Sequence, residues 1–256
     1  MKQLNFLLIF IFTIQLQTGI CQTNDSINPE ITKINEIKDH QKKKWYKSRV
    51  FKAAIAPTVL IGLGVATIQN HGIYSSYDAR NDMQKLFPSF RTRVDDYLIF
   101  APYAQLLILN LLKIRCQNDF INTAILIVKT ELIMTAITFP LKSITHIQRP
   151  DSSDFKSWPS GHTAQAFAAA TIVHKEFRYK SQWYGVGAYT IATAVGFFRM
   201  ANNKHWLSDV LAGAGFGILS AQIAYLTHQN RWGRKTQCLM PTYYNGAMGV
   251  SYQLTF

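Results

Sequence analysis

Residues 205–227 read HWLSDVLAGAGFGILSAQIAYLT. From Val210 to Thr227 this stretch carries no Asp, Glu, Lys or Arg, and as a helix of 18 residues it would extend about 27 Å, close to the thickness of a bilayer core. Gly213 and Gly217 recur at a four-residue spacing, which puts both on one helix face. Small residues there let helix backbones approach closely in lipid, where no hydrophobic force draws helices together. The head of the stretch is polar. His205 and Asp209 are also four apart, so on a helix the carboxylate meets the imidazole and can hold one tautomer with the other ring nitrogen free.

Five more apolar segments precede this one, near 51–69, 97–113, 120–141, 160–174 and 183–199. Two contain an interior proline, Pro57 and Pro102, which a span tolerates when its neighbours satisfy the freed backbone groups. Tyr97, Trp183 and Trp206 stand at segment ends, where an amphipathic ring suits the membrane interface. The expectation is an all-α fold, a six-helix transmembrane bundle over residues 49–228. A soluble all-helical protein is the alternative. Composition agrees with burial in lipid or core: of 256 residues 48% are apolar and only 16% charged, against about a quarter in soluble domains, which excludes disorder, collagen and coiled coil. Cys21, Cys116 and Cys238 are scattered and form neither a disulfide framework nor a zinc-ligand spacing.

The chain ends are of a different kind. Lys2, the run Leu7–Phe12 and small Gly19 before Cys21 suggest a secretory signal peptide over 1–21, cleaved or retained, followed by a polar segment 22–48. In the tail 229–256, Asn245-Gly246 precedes alternating Val250, Tyr252, Leu254 and Phe256, the pattern of a small β-hairpin. The net charge of +13 gathers in particular loops: Lys42 to Arg49 before the first segment, Lys113 and Arg115 after the second, Lys175 to Lys180 after the fourth, Arg231 to Lys235 after the sixth. With six alternating spans these loops share one face, which the positive-inside rule makes cytoplasmic, and nucleic acid is not needed as a partner. A cleaved signal peptide would place the lysine cluster on the other side, and the four loops are given more weight.

On the opposite face lie three polar groups that a membrane protein avoids without a functional reason. The first runs from Lys142 to Arg149-Pro150, where Pro150 biases Arg149 to an extended backbone. Basic residues at a span end are also ordinary headgroup anchors. The second is Pro159-Ser160-Gly161-His162: Ser160 is a good N-cap, and the free amides beyond it with the helix dipole make an anion site. The third runs from Arg199 through His205 to Asp209.

Taken together, lysine, six residues, Arg-Pro, then Pro-Ser-Gly-His, then arginine, five residues, histidine, three residues, aspartate resemble the signature of the type 2 phosphatidic acid phosphatase superfamily. The resemblance covers 142–209 in motif and about 97–227 in span order, with one departure, Phe198 where the family usually has serine. It implies a membrane-embedded, metal-independent lipid phosphate phosphatase without cofactor. Lys142, Arg149 and Arg199 would clamp the non-bridging oxygens, and Ser160 with the Gly161 amide would complete the cradle. His205 would attack phosphorus, Asp209 orient it, and His162 protonate the leaving alkoxide and then activate water. His146 and Asp151 are read as supporting loop residues.

Lipid A phosphate, undecaprenyl diphosphate, phosphatidylglycerol phosphate and phosphatidic acid are the expected substrates, met by the loop from Gln69 to Asp96. There Asp95-Asp96 either caps the following span or touches the substrate, with the cap favoured. Charge bias puts the protein in a bacterial inner membrane with its site toward the periplasm. The alternatives are a lipid-headgroup binder or transporter without turnover, which needs the cations but no paired nucleophile, and an enzyme like the vanadate haloperoxidases.

Overall fold

The computed structural model describes residue 46 and residues 48–71, 73–229, 238–244 and 247–253. The signal peptide expected over 1–21 and almost all of the polar segment 22–48 lie outside them. Eight helices follow in order: α1 Arg49–Ala66, α2 Ser76–Leu86, α3 Val94–Leu98, α4 Ala101–Leu111, α5 Phe120–Thr145, α6 Gly161–Phe177, α7 Gln182–Ala201 and α8 Leu207–Leu226. Beyond them β1 Cys238–Tyr244 pairs antiparallel with β2 Ala247–Gln253, Tyr244 opposite Ala247, while Asn245 and Gly246 lie outside the described residues.

Helix α8 is the axis of the bundle. It packs against α1, α6 and α5, and α6 packs in turn against α7. Glycine makes those contacts possible: a Cβ on Gly217 would stand 2.1 Å from the Ala164 carbonyl oxygen, and one on Gly213 2.5 Å from that of Ser160. The expected pair of small residues thus forms the seam with α6. The opposite side of α8 meets α1, where a Cβ on Gly215 would lie 2.9 Å from the Pro57 carbonyl. Alanine dominates the buried set on α6 (Ala164, Ala166, Ala168, Ala169, Ala170), so dispersion between close backbones holds this core more than large side chains do.

Among the described residues three helices, α1, α5 and α8, are long and apolar enough to cross a membrane. In α8, 78% of the most apolar window is buried, against 11% in α1 and 22% in α5. The outer helices therefore turn large apolar side chains outward, among them Val59, Leu63, Leu132 and Phe139, an apolar girdle suited to lipid. The span expected over 97–113 is broken in two: α3 ends at Leu98, and α4 begins at Ala101 with Pro102 in its first turn, where a missing N–H costs nothing. At 11 residues α4 is about 16 Å long, short of a bilayer core. It contributes Tyr103, whose hydroxyl donates to the Glu131 carboxylate of α5 and so partners a charged group within a candidate span.

Helix α2 forms the amphipathic element of the 69–96 connection. Ser75 caps it, with Asp78 returning a bond to the Ser75 amide. It lies over the loop that carries the third motif: Arg80 Nε donates to Asn203 Oδ1 at 2.9 Å, and Ser76 Oγ accepts from the Ser208 amide at 3.1 Å.

Candidate active site

Lys142 closes α5, Ser160 opens α6, Arg199 closes α7, and His205 precedes α8. Alternate helix ends thus deliver all three motifs to one end of the bundle. The basic loops after α4 and α6 meet at the other end of α6, where the Gln117 amide donates to the Glu176 carbonyl at 3.0 Å and the Asn118 amide to its carboxylate at 2.9 Å. The 17 residues of α6 separate the two ends by roughly 25 Å.

Asp209 organises the site. Fully buried in the first turn of α8, it accepts from the Trp206 amide at 2.9 Å and from the Ser157 hydroxyl. The same Oδ2 lies 3.1 Å from His205 Nδ1. With the carboxylate as acceptor, Nδ1 donates, which leaves Nε2 of a neutral ring unprotonated. Burial pushes the His205 imidazolium down to about 4, against the opposing pull of Asp209 and with the help of Arg199 and Arg149. The ring is neutral at pH 7, as a nucleophile requires.

The Ser160 hydroxyl accepts from the Thr163 amide at 3.4 Å as the expected N-cap, and the Ser160 amide donates to the Asp209 carbonyl at 3.0 Å. That second bond ties the start of α6 to the start of α8. Gly161 borders Lys142, whose Cε would lie 3.8 Å from a Cβ placed there. Lys142 Nζ donates to the Lys156 carbonyl at 3.0 Å, and Arg149, Arg199 and Asp209 all act electrostatically on it, so the three cations share one neighbourhood with the carboxylate. Arg149 Nε pairs with Asp154 Oδ2 at 2.8 Å but off the hydrogen-bond direction, and Nε of buried Arg199 has no acceptor. The Nε of Arg199 thus remains for an anionic ligand.

Asp95 and Asp96 do not cap a span. Arg93 holds the N-cap position of α3 without a side-chain bond, and a five-residue helix has little need of one. Asp95 is buried and accepts from Arg199 Nη1 at 2.8 Å and Asn202 Nδ2 at 3.1 Å. Asp96 Oδ1 lies 3.0 Å from His162 Nε2 and 3.6 Å from Arg199. The sequence offered these two carboxylates as a span cap or a substrate contact, and the structure sets them against the site's Arg199 and His162; Ser157 and Asn202 are the site residues that sequence reading did not find. Asp151 fastens the first motif's loop to the third: desolvation would raise it, but Lys204 at 2.6 Å and the Ser153 hydroxyl outweigh that and hold it near 2. His146 ends α5 in the left-handed region, at φ 47°, and touches no motif residue through a hydrogen bond. Phe198, where serine was expected, stacks on Phe90 at 6.1 Å and so packs the 87–96 connection against α7. Among the described residues no three His, Cys, Asp or Glu side chains converge as a metal site.

Parts of the chain are similar to known proteins. Residues 128–233 match the PAP2 superfamily. Over 77 residues, 30% of this chain, the sequence is 52% identical to a lipid A 1-phosphatase of Porphyromonas gingivalis, of whose length that match spans 17%. The crystal structure of Aquifex aeolicus LpxE covers 57% of this chain and 93% of its own, with 20% identity and a TM-score of 0.42. All three polar groups, 142–209, fall inside the stretch that matches the PAP2 superfamily.

Proposed function

We propose that this protein is a membrane phosphatase that hydrolyses a lipid phosphate through a phosphohistidine. The observation that carries the reading is the buried His205–Asp209 pair, tied by the Ser160–Asp209 bond to a helix start bordered by three cations. Phosphoryl transfer asks a protein chiefly for positioning and charge stabilisation, and this site offers both. Lys142, Arg149 and Arg199 hold the non-bridging oxygens, with the Gly161 amide and the α6 dipole behind them. His205 Nε2 attacks phosphorus, the bond to the lipid oxygen breaks, and His162 supplies the proton that this alkoxide takes up. Asp209 balances the charge that develops on the ring. Water then attacks the phosphorus of the phosphohistidine, giving its proton to His162, and inorganic phosphate leaves as the N–P bond breaks. Asp96, beside both His162 and Arg199, yields its contact with Arg199 when phosphate enters.

Lipid A phosphate leads the candidate substrates, because the relative from P. gingivalis is a lipid A 1-phosphatase. The charge bias of the loops supports a site on the periplasmic side of an inner membrane. A headgroup binder without turnover leaves the buried dyad without a purpose, and a haloperoxidase-like oxidant chemistry gains nothing from an apolar girdle. Phosphate release from detergent-dispersed lipid phosphates tests the proposal: release by the wild-type protein and none by His205→Ala is expected, and a wild-type protein inert on every lipid phosphate would sink it.

A further inference from the structure

Beside Arg199 opens a cavity of about 410 Å³, walled by Arg91, Arg93, Arg199 and Lys204 with Asp96 as its carboxylate. That volume falls in the ~300–1,000 Å³ range of small-molecule sites and exceeds what a single phosphoryl group fills. Two of the four cations are already engaged, Arg199 with Asp95 and Lys204 with Asp151. Arg91 and Arg93 are exposed, and among the described residues neither has an ion pair. Neither belongs to the clamp or the dyad.

Their position is nonetheless fixed. Asn202 reads the backbone of Thr92 from both sides: the Thr92 amide donates to Oδ1 and Nδ2 donates to the Thr92 carbonyl, each at 2.9 Å. The same Nδ2 donates to Asp95 Oδ1 at 3.1 Å, and Asp95 in turn holds Arg199. Thr92 is thereby tied to the clamp arginine through two side chains. The two arginines flanking Thr92 both line the cavity. Guanidinium groups without carboxylate partners, in a pocket continuous with a phosphate clamp, match a second phosphoryl group in charge and in fork geometry.

We infer that Arg91 and Arg93 bind a second phosphoryl group of the substrate, so that the enzyme selects lipids bearing two phosphates over lipid monophosphates. The inference rests on the phosphatase reading above. The second phosphate is either joined to the first, as in a diphosphate, or carried elsewhere on the headgroup, and one experiment separates these sources. Wild-type protein and the double variant Arg91→Gln/Arg93→Gln are assayed in detergent on phosphatidic acid, phosphatidylglycerol phosphate and a polyprenyl diphosphate. Wild-type kcat/KM is expected to favour at least one two-phosphate lipid over phosphatidic acid by roughly 10–100-fold, the worth of one or two charge-assisted hydrogen bonds. The double variant should lose that preference through KM and keep its rate on phosphatidic acid within about twofold, since neither arginine is placed at the transferred phosphate. Which lipid is favoured tells adjacent from separated phosphates. Equal losses on all three lipids would mean that the arginines merely anchor the protein to headgroups, and would overturn the inference, as would a wild-type enzyme without the preference. Hydrolysis of phosphatidic acid in either case leaves the phosphatase reading intact, whereas a wild type inert on all three and on lipid A phosphate takes both down.

Discussion

Nδ1 of His205 lies 3.1 Å from Oδ2 of Asp209, one helical turn further along the chain, and both side chains are sealed from solvent. Burial of the imidazole lowers its pKa from 6.5 to about 4 even beside a carboxylate, and that sign has a consequence for pH dependence. In the proposed mechanism the neutral ring is the nucleophile, so the acid limb of kcat/KM that belongs to His205 should fall near pH 4 rather than near 6.5. Stability follows the same group. Between about 6.5 and about 4 the unfolded chain binds a proton at His205 that the folded chain refuses, so stability is full above 6.5 and declines as pH falls through this window. Thermal melts of wild type and His205→Gln in detergent should converge in that range, and an acid limb governed by an ordinary histidine would contradict the assignment.

Chemistry and clamp should separate by substitution. His205→Ala is expected to abolish turnover and the phosphoryl-enzyme trapped by acid quench from a radiolabelled lipid. Arg149→Lys retains charge but loses the planar fork, and a cost of roughly 10–1000-fold in rate is expected because an oxyanion clamp depends on geometry. A His205→Ala protein turning over at near wild-type rate would rule out the nucleophile.

Three cations and a helix start supply the charge that a metal-dependent phosphatase draws from its ions. Activity is therefore expected to be unchanged after exhaustive treatment with a chelator. Loss of activity that magnesium or zinc restores is the opposing result.

Gly217→Ala tests the seam between α6 and α8. The added methyl would stand 2.1 Å from the Ala164 carbonyl and 3.0 Å from the Ala168 amide, both backbone, so the helices must separate. Overpacking of this kind costs about 1–3 kcal/mol and should lower the melting temperature. Gly187→Ala is the matched control: a Cβ there meets nothing within 4 Å, and the helix propensity of alanine should leave stability equal or slightly higher.

Topology is tested by cysteines placed singly at Ser153 and Ser181 in a background lacking Cys21, Cys116 and Cys238. Ser153 lies in the loop between α5 and α6, on the dyad's end of the bundle, and Ser181 caps α7 at the other end. In whole cells an impermeant thiol reagent should label Ser153→Cys and spare Ser181→Cys until lysis. The reverse pattern would put the site in the cytoplasm and give the signal peptide control over the charged loops.

Local pattern carried much of this architecture. Apolar runs marked the ground of α1 and α4 to α8, and the i,i+4 spacing of His205 and Asp209 held because both side chains bond within a single turn. The break after Leu98 escaped because hydropathy averages over Ile99 and Phe100 and takes no account of where a chain turns before Pro102. The partner of Asp95 escaped for a different reason: the carboxylate meets Arg199 from 104 residues away, and no local rule links a carboxylate to a cation at such a separation. Asn202 stands inside the third motif yet acts through the Thr92 backbone, which nothing in its own neighbourhood indicates.

The bond from the Ser160 amide to the Asp209 carbonyl, 3.0 Å long, bears on how such a protein changes over generations. It makes the starts of α6 and α8 a single unit, whereas residues 91–96 join that unit from outside through Asn202, Arg199 and His162. A lineage can then exchange the 91–96 strap for one of different length or charge, acquiring a taste for another lipid, while the reacting atoms stay in register.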